Sequence, residues 1–199
     1  MAGLLANFRN TVILSVILAL LVVGAYATGP QGTGPIFVQA VFRWLHVFFG
    51  ILWIGLLYYF NFVQIRKMPD IPADLKPAVS KYIAPEALFW FRWAALATVL
   101  MGLAIAGSRG YLVQTLSLGF AGGGQQAMLL GLGMWLGIIM MLNVWGIIWP
   151  NQKRALGIVE ADADTKAKSA RMAMLGSRTN MLLSIPMLVC MTMSQTIFN

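Results

Sequence analysis

Five apolar runs divide this chain, each near the roughly 20 residues that a helix needs to cross a bilayer. They fall at about 11–27, 36–63, 86–107, 127–149 and 180–198. Backbone N–H and C=O groups in hydrocarbon must be satisfied within their own segment, so runs of this length are expected as helices. Only 10% of the 199 residues are charged and 59% are hydrophobic, whereas soluble domains carry about 25% charge. The sequence therefore predicts an all-α, polytopic membrane helix bundle with about five transmembrane helices, forming a single integral membrane domain over 1–199. Spans and connections use nearly every residue, leaving no length for a separate soluble domain. The first run has two features of a cleaved signal, Arg9 before its apolar core and Ala25-Tyr26-Ala27 at its end. That core is long for a signal, and residues 1–27 are read as a retained helix.

The net charge of +8 is placed by topology. Loop 64–85 holds Arg66, Lys67, Lys76 and Lys81, and loop 150–179 holds Lys153, Arg154, Lys166, Lys168, Arg171 and Arg178. Loop 28–35 has no basic residue, and segment 108–126 has only Arg109. The positive-inside rule then puts the N-terminus and both basic loops in the cytoplasm and the C-terminus outside. No basic patch is interleaved with aromatics, so the lipid bilayer is the expected partner and nucleic acid is not. Prolines 69, 72, 77 and 85 limit 64–85 to a short helical piece between turns. Segment 151–178 is rich in Ala and mixed charge, and is expected as a wet helix with Asp164 or Thr165 capping its second half. Glu160, Asp162 and Asp164 are expected to be a solvated face. Segment 108–126 is too short to span and ends at the flexible Gly122-Gly123-Gly124 turn. Cys190, the lone cysteine, excludes an intrachain disulfide and a C-x-x-C-H haem attachment.

Polar groups inside spans are costly and mark a partner or a function. In the stretch VFRWLHVFFGILWIG, residues 41–55, Arg43 and the only histidine, His46, stand one helical turn apart. Gln39, Arg43, His46, Gly50 and Trp53 follow spacings of four, three, four and three, so they share one helix face. At about 1.5 Å rise per residue, His46 lies near the bilayer midplane, while Arg43 and Arg92 can snorkel to opposite surfaces. A midplane histidine can ligate haem or a metal, relay protons, or make a neutral interhelical hydrogen bond. Asn143 is the notable polar residue of the fourth span. Gly133 and Gly137 form a G-x-x-x-G pattern expected to serve close helix packing.

RWLHVFFGILWIG resembles a signature of the membrane-anchored urate oxidase (urate hydroxylase) N-terminal domain family. LFWFRWAALATVLMGLAI at 88–105, MLNVWGIIWPNQKRAL at 141–156 and GSRTNMLLSIPMLVCMTMSQ at 176–195 agree in order. The resemblance implies a helical membrane domain of a bacterial cytoplasmic (inner) membrane, multi-pass, in a family associated with urate oxidation. The larger members carry a cytochrome c domain, and this chain reads as a short form without it. Members also have histidines in the regions matching 88–93, 176–180 and 193–196, where this chain reads LFWFRW, GSRTN and MSQT. Only His46 carries over, with Arg43 and Trp44 beside it.

The candidate cofactor is haem b on His46, with Arg43 pairing a propionate, Trp44 or Trp53 packing on the ring and Gly50 admitting it. One histidine cannot give bis-His ligation within one chain, which leaves five-coordinate, His/Met or chain-shared haem. Met140 and Met187 fall near His46 in depth and are the candidate sulfur ligands. The alternative expectation is a non-catalytic accessory subunit. Its partners would be other membrane subunits or further copies of itself, with His46 and Arg43 in helix packing.

Overall fold

The computed structural model describes residues 2–29 and 32–198. Five helices are long and apolar enough to cross a membrane: α1 (Phe8–Ala27), α2 (Pro35–Asp70), α3 (Lys76–Ser108), α4 (Gly124–Ala155) and α5 (Ala163–Ile197). No strand occurs among the described residues. A short helix, Leu112–Leu116, lies between α3 and α4.

The pairs α2/α3 and α4/α5 run antiparallel. Gln39 meets Ser108, His46 meets Thr98, and Phe60 stacks edge-on against Phe91 at 5.5 Å. Along α4 and α5, Gln126 reaches Ser194 and Asn143 reaches Gly176. Asn61 of α2 meets Ser177 of α5, which ties the two pairs together. Both basic loops therefore sit at one end, called here the basic end. The glycine-rich connection 119–124 sits at the other, the glycine end. The core of Trp53, Leu57, Phe60, Phe91, Met140, Val144 and Ile148 is concentrated toward the basic end. α1 contributes no buried residue, and its apolar side chains point in every direction, as suits a helix solvated by lipid.

The helices overrun the expected spans at the basic end. α5 is one helix of 35 residues, about 50 Å long, where a wet helix over 151–178 and a separate span from 180 were expected. Bilayer hydrocarbon is about 30 Å thick, so the first turns of α5 project beyond it, Ala-rich and mixed in charge. The cap is Asp162, not Asp164 or Thr165. Its carboxylate accepts from the Thr165 backbone N–H at 2.8 Å and from the Thr165 hydroxyl at 2.7 Å. These bonds hold the Asp162 carboxyl below its ordinary pKa. Asp164 pairs with Lys168 at 2.6 Å.

Likewise α3 begins at Lys76, earlier than the prolines of 64–85 led us to expect. Two π-helical stretches, Val79–Ile83 and Val144–Ile148, each end two residues before a proline, Pro85 and Pro150. A proline lacks an N–H and crowds the carbonyl four residues back. Widening the turn ahead of it lets the helix continue. Gly122, Gly123 and Gly124 have φ of 103°, 85° and 58°, a left-handed run that side chains resist.

Candidate functional site

Toward the glycine end the four packed helices part. They leave a cavity of about 650 Å³ walled by α2, α3, α4 and α5 and by Tyr111 of the connection. Its volume lies within the range of small-molecule and cofactor sites. The stripe of α2 faces it: Arg43, His46, Gly50 and Trp53 all line the wall.

His46 is held from α3. Its Nδ1 lies 2.8 Å from the carbonyl oxygen of Thr98. A carbonyl only accepts, so Nδ1 carries the proton and the neutral ring has its free lone pair on Nε2. The ring brings its Nδ1–Cε1 edge against Gly102, where an added Cβ would stand 3.0 Å from Cε1 and 3.1 Å from Nδ1. Gly102 is therefore what lets the imidazole sit beside the α3 backbone. Nε2 makes no hydrogen bond to any described residue, and His46 lines the cavity. This is an interhelical hydrogen bond of the kind the sequence allowed, and a metal-ligating histidine is held through its other nitrogen in the same way.

Arg43, half a cavity away toward the glycine end, makes no ion pair or side-chain hydrogen bond with a described residue. Arg109 donates from Nε to Gln39 Oε1 at 3.4 Å. Burial pushes the Tyr111 phenol up, and the charges of Arg109 and Arg43 with a hydrogen bond from Arg109 pull it back. The rim thus gathers two guanidinium groups with no carboxylate among them. The floor carries Trp53, 1% exposed, whose indole N–H has no acceptor.

The remaining candidates separate. Met187 lines the cavity, whereas Met140 is fully buried in the core and does not. Trp44 is exposed, tilted against Phe48 at 6.4 Å, and is outside the wall. Met134 and Met191 line the cavity beside Met187, with Thr98 and Gly102 across from them. None of these four stood out in the sequence. The polarity of Thr98 that matters is its backbone carbonyl, which no residue letter displays. Gly133 and Gly137 also part company. A Cβ on Gly133 would lie 2.9 Å from Cys190 Cβ, while one on Gly137 would meet nothing within 4 Å. The first serves helix packing as expected, and the second opens onto the cavity.

No curated protein and no solved structure matches this chain. Of the four stretches that carry the family resemblance, those at 141–156 and 176–195 lie inside the matched region described next, and RWLH and the stretch at 88–105 lie outside it. Residues 112–196, which comprise the connection, α4 and most of α5, match the family model described as urate oxidase N-terminal.

Proposed function

We propose that this chain is a haem-linked redox protein of a bacterial cytoplasmic membrane, with its N-terminus and basic loops in the cytoplasm. The observation that carries the proposal is the His46 imidazole in the cavity wall, fixed through Nδ1 by Thr98, with no hydrogen bond from Nε2 to a described residue. The wall fits a flat macrocycle. Gly50 and Gly137 leave room in it, and the thioethers of Met187, Met191 and Met134 face the same space as His46. The guanidinium of Arg43 in the wall, and that of Arg109 beside Gln39 and Tyr111, are in no ion pair among the described residues and suit the carboxylates of such a group, and charge-assisted pairs of this kind are strong.

When bound, haem would supply one-electron chemistry whose potential depends on the axial ligands and on burial. The chain's own residues do the rest. Thr98 fixes the tautomer and direction of the imidazole, and Gly102 sets its distance from α3. Trp53, Ile54 and Val99 keep the floor apolar. The wall contains no carboxylate among the described residues, so urate oxidation by this chain alone is not part of the proposal.

The test is the absorption spectrum of detergent-purified protein, oxidised and reduced, made with haem supplied during expression and compared with His46→Ala. A Soret band that disappears in the variant is expected. A flat spectrum in the parent protein, or a band untouched by the substitution, would overturn the assignment. The second reading, an accessory subunit of a larger membrane complex, rests on α1, which has no buried residue. A flat spectrum together with co-purifying membrane subunits would favour it.

A further inference from the structure

The packed end of the bundle holds a second feature that the haem proposal does not use. Arg92 of α3 projects between α3 and α4. Its guanidinium carbon stands 3.8 Å from the centre of the Trp149 ring and 5.2 Å from that of Phe89. Lys153, one turn beyond Trp149 on α4, brings its ammonium to 5.8 Å from the same indole. Two cations therefore share one aromatic ring and repel each other.

Neither forms an ion pair with a carboxylate among the described residues, Asp74 and Glu160 included. Asp70 and Asp164 are paired with Lys67 and Lys168. Asp162 caps α5, and Glu86 accepts the Trp90 indole N–H at 2.8 Å. Stacking satisfies the face of the Arg92 guanidinium and leaves its edge N–H donors without a protein acceptor. Around this pair the aromatic residues Phe89, Trp90 and Trp93 are exposed on the outside of α3. Trp93 meets Trp145 edge-on at 5.2 Å, and Trp145 donates to the Arg92 carbonyl at 3.2 Å. Exposed indoles in such a belt mark the depth at which lipid headgroups lie.

We propose that Arg92, Lys153 and Trp149 form a phosphate-binding groove between α3 and α4 that holds the headgroup of an anionic phospholipid at the basic end. The phosphodiester would accept from the free edge of Arg92 and from the Lys153 ammonium, and the acyl chains would lie along the exposed aromatic face of α3. The groove is distinct from the His46 cavity, which opens toward the other end of the bundle.

Native mass spectrometry of the detergent-purified protein, titrated with phosphatidylglycerol or phosphatidylcholine, tests this. Phosphatidylglycerol adducts are expected to outlast phosphatidylcholine adducts. An interfacial cation contributes about fivefold in affinity for anionic lipid, and Arg92→Gln and Lys153→Gln are each expected to lower retention by about that factor. Lys153 is only half-buried, so its variant keeps the test open if Arg92→Gln does not fold. A parallel titration with inorganic phosphate separates the sources. Phosphate that binds and displaces the lipid would assign the groove to free phosphate, and would overturn the lipid while keeping the phosphate chemistry. Equal retention of the two lipids, or retention untouched by Lys153→Gln, would overturn the proposal.

Discussion

The same four helices build two unlike halves. Toward the basic end, asparagine side chains join the helices. Asn61 donates to Ser177 at 2.9 Å, Asn143 donates to Asn180 at 2.7 Å and to the Gly176 carbonyl at 2.9 Å, and Asn180 donates to the Met140 carbonyl at 3.0 Å. Toward the glycine end the Arg43 guanidinium, the His46 Nε2 and, at the floor, the Trp53 indole N–H make no hydrogen bond with a described residue. Polar groups inside a membrane thus have two uses here. In one half they join helices, and in the other they line a cavity. The difference lies in small residues. Gly176 lets Ile148 and Asn143 close onto α5, while Gly102 admits the edge of the His46 ring and Gly137 admits nothing.

The two glycines of the G-x-x-x-G pattern offer the sharpest way to break this contrast. Gly133→Ala pushes a Cβ to 2.9 Å from Cys190, and overpacking of that kind costs about 1–3 kcal/mol. Gly137→Ala meets nothing within 4 Å, and helix propensity makes it neutral or more stable by up to about 1 kcal/mol. Thermal unfolding in detergent reads both. Equal destabilisation by the two substitutions would mean that the wall at Gly137 is packed as closely as the seam at Gly133.

A smaller effect is expected at Gly102. An alanine there would displace the His46 ring by a few tenths of an ångström without disturbing the core. The cost to a ligand on Nε2 is about 1 kcal/mol, near the value of one misaligned hydrogen bond. Haem titration of Gly102→Ala should therefore show weaker binding at unchanged unfolding temperature. Unaltered affinity would detach Gly102 from the site.

The smallest effect belongs to the solvated start of α5. The Asp162 carboxyl is held below its ordinary value by its bonds to Thr165. A carboxyl depressed on folding stabilises the fold fully above its unfolded pKa of about 3.9, and that stabilisation is lost as pH falls through the folded value. The protection of the Thr165 amide against exchange, relative to the unstructured rate at the same pH, should be high near neutrality and fall below about pH 4. No such change, or the same acid response in Asp162→Ala, would remove the cap from the account.

The spans were legible because bilayer thickness leaves few choices for apolar runs of this length. The α2 stripe was legible because helical spacing alone aligns Gln39, Arg43, His46, Gly50 and Trp53. The continuity of α5 was not, because residues 163–179 are too polar to resemble a span while remaining good helix formers behind an Asp162 cap. The cavity was hidden for a different reason. Its wall is completed by Gly102, Met134 and Met191, which become neighbours of His46 only once α3, α4 and α5 take their register. Met140 and Met187 were matched to His46 by depth alone, and depth cannot tell a core face from a cavity face.

The most direct measurement is a paired one: thermal unfolding and haem titration of Asn180→Ala beside His46→Ala. Asn180 is fully buried and joins α5 to α4. Its loss should cost about 2 kcal/mol and leave the haem spectrum of the folded protein intact. Loss of the single His46 interhelical bond should cost less than about 1 kcal/mol and abolish haem binding. A His46→Ala protein that unfolds as readily as Asn180→Ala, with no spectral change in either, would contradict the account and make His46 one more helix-joining residue.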